Sequence, residues 1–332
     1  MQLLKNKIKN ISIYLLSEKM AEQFEHIPVL LEPVLEYLTF PTNRPVRLID
    51  GTLGGAGHSS KLLSLYSNLE LLGIDRDDEA LAAAKEKLSF AKDRVHLERG
   101  DYGNMKEIAA SIGWDKVDGI LLDIGVSSHQ IDSPERGFSF RFDAPLDMRM
   151  DRRSELTAAR VLARYSENEL FKIFRDYGEI RNPRKLVNMI VSRRVDNPIG
   201  TTGEFAEICE AALGRQRPGG PPVATLPFQA LRIVVNDELG QLESALKDLP
   251  DLLNVGGKAA IISFHSLEDR IVKESFREQS TQCICPPGLP ICCCNHVAVF
   301  KQLTKKVVVA SSQEVKMNRR SACAKMRVVE RI

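Results

Sequence analysis

The run Asp50-Gly51-Thr52-Leu53-Gly54-Gly55-Ala56-Gly57-His58 sets four glycines between an aspartate and a histidine. Glycines at a strand-to-helix junction permit tight turning and close backbone approach to a ligand. Their positions do not match the dinucleotide pattern G-x-G-x-x-G, and no Gly-Lys-Ser/Thr follows as in a phosphate-binding P-loop. A nucleoside cofactor without phosphates is what remains. Three more segments carry matching chemistry: Ile74-Asp75-Arg76-Asp77, Gly100-Asp101-Tyr102 and Leu122-Asp123-Ile124-Gly125-Val126-Ser127-Ser128. Asp75 is placed to accept hydrogen bonds from two ribose hydroxyls. Asp101 offers a carboxylate to an exocyclic amine and Tyr102 an aromatic face to a purine, while Asp123 faces the same crevice. A single Gly-rich turn is more often only a turn, but four strand ends with compatible chemistry favour a site. S-adenosylmethionine is the cofactor that fits best.

The elements that must hold these residues are legible as five apolar runs: Val46–Gly51, Leu69–Asp75, Val95–Gly100, Val117–Gly125 and Lys258–Ser266. Helical spacing recurs between the first four, at His58–Tyr66 and Asp78–Leu88, as in a parallel sheet covered on both faces. From about Ile131 to Pro227 only polar loops and amphipathic helices are expected, such as Glu167–Phe174 and Pro183–Val195, with Gly/Pro-rich punctuation at Gly214–Pro222. The α/β rhythm resumes with a helix near Phe228–Leu249. The domains expected are an N-terminal appendage (1–19, before the start-like Met20), a first part of the α/β sheet domain (20–130), an inserted helical domain (131–227), and a second part of the sheet domain (228–332) ending in a basic tail. The 332 residues suit about two domains. With 43% hydrophobic and 27% charged residues, a disordered chain, a collagen and a membrane-spanning bundle are excluded. No secretory signal is evident, and the cysteines are odd in number with five of the seven crowded into Cys283–Cys294, which points to the cytoplasm. The net charge of +2 makes no case for nucleic acid; only local clustering does.

Beyond these generic features, Asp50–His58, Gly119–Ser128, Glu135-Arg136-Gly137-Phe138-Ser139-Phe140, Pro145–Met150 and Ile262–Arg270 together resemble one family, the bacterial 16S rRNA (cytosine-N4)-methyltransferase H or MraW family. The resemblance runs from about His26 to the C-terminus. It implies an α/β, Rossmann-like class I S-adenosylmethionine-dependent methyltransferase sheet with an inserted helical domain. It also implies methylation of the exocyclic amine of a decoding-centre cytidine in 16S rRNA of the small ribosomal subunit. The family's cofactor contacts carry over onto Ala56, Gly57, His58, Asp75, Tyr102, Asp123 and Gln130. Ala56 stands where glycine is frequent and Tyr102 where phenylalanine is, and a pocket edge would accommodate the extra methyl and hydroxyl.

A cytosine amine is a poor nucleophile because its lone pair is delocalised into the ring, and preorganised acceptors make the nitrogen more tetrahedral. Asp123 is the candidate catalytic acceptor, unless it only holds the cofactor. Asp147, His265 and Ser266 are weaker candidates, since a histidine at a strand end is more often structural. For RNA, Arg136, Arg141, Arg149, Arg152, Arg153, Arg160 and Arg164 are phosphate ligands or ordinary ion-pair partners of the interspersed acids. Lys316, Arg319, Arg320, Lys325, Arg327 and Arg331 form a second basic cluster near the C-terminus. Phe138, Phe140 or Phe142 would stack on an unstacked target base, or would belong to a half-buried strand or turn. Cys283-x-Cys285, then Cys292-Cys293-Cys294 and His296, raises a zinc site. The spacing is not C-x-x-C, three adjacent thiols do not easily share one tetrahedral ion, and catalysis needs no metal, so no metal is assigned.

Overall fold

Four of the apolar runs become adjacent strands, β1 (Val46–Asp50), β2 (Leu69–Asp75), β3 (Val95–Arg99) and β4 (Val117–Asp123). They pair in parallel with β5 (Leu253–Ser263), and the order across the sheet is β3-β2-β1-β4-β5. This computed structural model describes residues 28–214, 219–285 and 292–332. The expected appendage, the start-like Met20 and the prolines at 286, 287 and 290 lie outside them. β5 starts at Leu253 and not at Lys258, because a register shift between Val117 and Gly119 lets the strand bulge through Gly256 and Gly257.

Alternation along β4 explains why the sheet is covered twice. Ile120 and Leu122 enter one core with Ile49, Leu72 and Ile261, while Leu121 enters the other with Leu48, Leu71 and Ile262. Helices α1 (Leu31–Tyr37), α2 (Gly57–Leu65) and α3 (Asp78–Lys87) bring Val34, Leu62 and Ala84 to the second core. Helix α4 (Met105–Ser111) covers the first. A short α5 (Ser128–Asp132) follows β4, started by a capping box in which Ser127 and Gln130 satisfy each other's backbone amides.

The insertion has its own core. Helices α6 (Ala158–Arg164), α7 (Glu167–Lys172), α8 (Arg184–Asp196), α9 (Thr202–Leu213) and α10 (Thr225–Asn236) gather Val161, Leu170, Ile190, Phe205 and Leu231 into a third cluster. The sequence pattern predicts one helix near 228–249, but two are present. Asp237 adopts φ 48° and ends α10, after which α11 (Glu238–Leu252) turns to pack Leu242, Leu246 and Leu249 on the first core. The expected boundary at 227 therefore falls inside α10, whose Phe228 and Leu231 belong to the insertion's cluster.

The C-terminal segment differs most from expectation. After α12 (Ser266–Gln279) come β6 (Phe300–Gln302), β7 (Val308–Val309), α13 (Ser312–Met317) and β8 (Lys325–Arg331). β8 runs antiparallel between β5 and β6 and also pairs β7. The last part of the expected basic tail, Lys325–Arg331, is thus an interior strand, while Lys316 lies in α13 and Arg319 and Arg320 in the turn that follows it. Met326, Val328 and Val329 are buried, and Asp269 binds Arg327 Nε at 2.7 Å and Lys325 Nζ at 3.5 Å.

Candidate active site

The carboxyl ends of β1, β2 and β4 open into one cleft of about 490 Å³, where strand order reverses between β1 and β4. The loop after β1 lies tightly against its neighbours. A Cβ on Gly51 would stand 2.5 Å from Leu122 Cδ2 and 2.9 Å from Tyr102 Cβ, so only glycine passes there. Gly54, at φ +49°, turns its amide onto Asp75 Oδ2 at 2.8 Å. Asp75 Oδ1 accepts the Asp77 amide at 2.9 Å, so backbone bonds fix both oxygens in place while the carboxylate still lines the cleft. Burial raises its pKa, and those two amides oppose the rise.

Six of the seven predicted contact residues line this cleft: Gly57, His58, Asp75, Tyr102, Asp123 and Gln130. Ala56 does not. Its methyl is fully buried in the core, and its φ of 55° at the start of α2 is the conformation that favours glycine at this position. Tyr102 likewise does not sit with its hydroxyl at a pocket edge, because that group donates to Glu238 O at 3.1 Å and is 7% exposed with the rest of the residue. Gln130 is committed on both sides, accepting the Ser127 amide at 3.1 Å and donating to Asp77 Oδ2 at 2.8 Å. Asp101, expected to face an amine, is held by Arg76 Nε at 2.7 Å and is not in the cleft wall.

Neither Asp50 nor Asp123 is paired with an arginine or lysine among the described residues. Asp50 is buried, bonded to Ser59 Oγ at 2.5 Å, and burial pushes its pKa up to about 6. Asp123 is pushed up to about 8, first by burial and then by the charges of Asp50 and Glu268. Thr52 Oγ1 accepts the Asp123 amide at 2.5 Å, and His58 Nδ1 is 3.8 Å from Oδ2. The His58 ring is anchored at its other nitrogen, Nε2, 2.9 Å from Val29 O. Asp123 Oδ1 is buried without a hydrogen-bond partner among the described residues. Unsatisfied buried acceptors are rare and call for a ligand. Buried acids at the ends of β1, β2 and β4 suit one that brings positive charge and hydrogen-bond donors.

The weaker candidates have other work. Asp147 holds Arg149 through Nε at 2.8 Å and Nη2 at 2.7 Å, and although burial alone would raise its pKa, this pairing lowers it. Ser266 donates to Glu179 Oε2. His265 caps α12 and lies 3.0 Å from Glu268 Oε1. None of the three lines the cleft.

Sequence patterns missed the bracing that joins the insertion to the cleft. Arg136, 2% exposed, binds Asp77 at 2.9 Å, Glu79 at 3.1 Å and the carbonyls of Arg149 and Met150 at 3.1 Å. It is therefore a buried brace and not a phosphate ligand. Asn236 bridges Met148 O and the Met150 amide, both at 2.8 Å, and Arg232 clamps Glu238 with two bonds of 2.8 Å. Phe264 and Arg320 also reach the cleft wall. The Arg136 links to Asp77 and Glu79 and both Asn236 bonds join segments more than fifty residues apart, so local spacing gives no signal for them.

The proposed RNA surface is reduced as well. Arg149, Arg152, Arg153 and Arg160 pair with carboxylates, whereas Arg141 and Arg164 are exposed with no ion pair among the described residues. Phe140 packs edge-on against Phe228 and Phe138 lies under the Arg136 guanidinium, but Phe142 is 61% exposed.

A sequence model described as the MraW methylase family matches residues 23–332. Over 93% of its length the chain is 49% identical to a protein of Heliobacterium modesticaldum named ribosomal RNA small subunit methyltransferase H, covering 99% of that protein. Proteins of the same name from a Geobacter species and Clostridioides difficile are 47% and 44% identical, each covered completely, over 94% and 93% of this chain.

Proposed function

Because this chain belongs to the MraW methylase family, we propose that it methylates the exocyclic N4 amine of a decoding-centre cytidine in 16S rRNA of the small ribosomal subunit. S-adenosylmethionine is the methyl donor, and when bound it supplies an electrophilic methyl group on a positively charged sulfur. The observation that carries the proposal is Asp123 Oδ1, a buried acceptor left without a partner at the mouth of β4.

The chain's own residues divide the work. Asp75, locked by two amides, presents its remaining lone pairs to the ribose hydroxyls. Tyr102 offers its ring to the adenine, held in place by its bond to α11. Gly57 and His58 complete the cleft wall, with His58 Nδ1 3.8 Å from Asp123 Oδ2. Gln130 acts through Asp77 and the start of α5, as a positioning residue. Asp123 meets the cofactor's positive charge. With a proton affinity near neutrality, it also suits the task of accepting a hydrogen bond from the target amine. Phe142, with Arg141 and Arg164, gives an unstacked base and its flanking phosphates a place to dock.

No helix among the described residues is long and apolar enough to cross a membrane, and a ribosomal substrate would be met in the cytoplasm. The test is mass spectrometry of 16S rRNA from a strain lacking this protein, with transfer assays on small subunits and on duplex DNA. Loss of one cytidine methylation, restored by the purified protein on small subunits, is expected. An unchanged cytidine modification pattern would overturn the proposal.

A further inference from the structure

Outside the cleft, between α12 and β6, the sulfur atoms of Cys283, Cys285, Cys292 and Cys294 all lie within 4.8 Å of one another. Cys292 and Cys294 are 3.5 Å apart, and Cys283 and Cys294 are 3.8 Å apart. All four are free thiols, and these separations are far beyond the roughly 2.05 Å of a disulfide. They agree with the spacing of a tetrahedral thiolate site, since four sulfurs each about 2.3 Å from zinc stand about 3.8 Å from one another.

We propose that Cys283, Cys285, Cys292 and Cys294 bind one zinc ion, as a structural tetrathiolate site distinct from the methyl-transfer cleft. None of the four lines that cleft. The spacing that argues against zinc in the sequence is resolved by the fold. Two C-x-C pairs meet, and of the three adjacent cysteines the middle one stays outside the set. Cys293 touches only one corner of the group, its sulfur 3.8 Å and its amide 3.5 Å from Cys285 Sγ, and it is not among the four whose sulfurs are all mutually within 4.8 Å. Amide donors around coordinating sulfur stabilise its negative charge and fix its orientation. His296 is not part of the group of mutually close ligand atoms, and its Nε2 lies 2.9 Å from Glu278 O at the end of α12.

The site has a mechanical reason to exist. Between Ser280 and Val299 the described residues form no helix or strand and contribute little to a core. A metal closing both ends of this segment would supply what burial does not. Binding forms four Zn–S bonds, and the four thiol protons pass to solvent, leaving a site of net charge about −2.

The experiment uses the full chain, purified under reducing conditions with zinc supplied and then dialysed. Elemental analysis should find about one zinc per chain in the wild type and in Cys293→Ser and Cys323→Ser. Cys283→Ser and Cys294→Ser should lose at least nine-tenths of it. Cobalt substituted for zinc should give the visible absorption of a tetrahedral thiolate complex in the wild type, Cys293→Ser and Cys323→Ser, and not in Cys283→Ser or Cys294→Ser. If the serine variants fail to fold, mercurial titration of the wild type decides the matter, because zinc should be released as four thiols react. Absence of zinc and cobalt uptake, a site that takes up only iron, or retention of zinc after those thiols have reacted would overturn the proposal.

Discussion

Replacing Asp123 with asparagine preserves the shape of the side chain and removes its charge. In the ligand-free chain this carboxyl has its pKa raised from 3.8 to about 8, so at pH 7 the folded protein holds a proton that the unfolded chain has released. Each pKa unit corresponds to about 1.4 kcal/mol, which bounds the cost to folding at pH 7 at about 4 kcal/mol. The side chain keeps 25% of its surface open to the cleft, so screening reduces the expected effect to about 1–2 kcal/mol. A folded-state pKa above the unfolded value contributes its full stability below about pH 4, and that contribution is lost as pH rises towards 8. Asp123→Asn should therefore melt above wild type at pH 8, and the gap should close as pH falls to 4. Cofactor binding should behave oppositely. Wild-type affinity should rise with pH up to about 8, whereas the variant should show no such dependence and bind at least tenfold more weakly than wild type at pH 8. Thermal melts from pH 4 to 8.5 and calorimetric titration with S-adenosylmethionine measure both. A melting difference identical at pH 5 and pH 8, or a variant less stable than wild type at pH 8, would refute the assignment of Asp123 as an uncompensated buried acid.

Asp75→Ala removes the acceptor for the Gly54 and Asp77 amides as well as for the ribose, so calorimetry should show affinity reduced more than tenfold; undiminished affinity would mean the ribose site is elsewhere. Arg136→Ala leaves Asp77 buried without its cation and should cost about 3–5 kcal/mol in urea unfolding, and a loss under 1 kcal/mol would show the brace to be dispensable. Phe142→Ala should lower methyl transfer to small subunits severalfold while cofactor affinity stays at the wild-type value, and equal transfer rates would remove Phe142 from the RNA surface.

The strands that carry the cleft were legible because parallel strands buried on both faces leave nearly continuous apolar runs, as in Val117–Asp123. The carboxylates followed from their position just past each run. Helix α10 and helix α11 fused in the pattern because nothing in the local periodicity marks Asp237, whose left-handed backbone separates the two cores. β8 was hidden for a different reason. Lys325-Met326-Arg327-Val328-Val329-Glu330-Arg331 looks polar until Asp269, from a helix 58 positions away from Arg327, is seen to take up its charges. The same limit concealed Arg136, whose partners lie 57 and 59 positions away. The cysteine spacing, discouraging as a linear pattern, becomes favourable once the chain brings its two C-x-C pairs together.

The place of β8 also has a consequence for synthesis. Its residues, 325–331, occupy the slot between β5 and β6, although β5 ends at Ser263. A ribosome adding roughly 5–20 residues per second needs several seconds to pass from one to the other. During that interval the apolar run Ala259–Ile262 presents an unpaired edge, the kind of template that draws neighbouring nascent chains together. Nascent chains stalled or truncated before Lys325 would keep that edge bare, so their aggregation should mark the moment at which this protein is most dependent on chaperones.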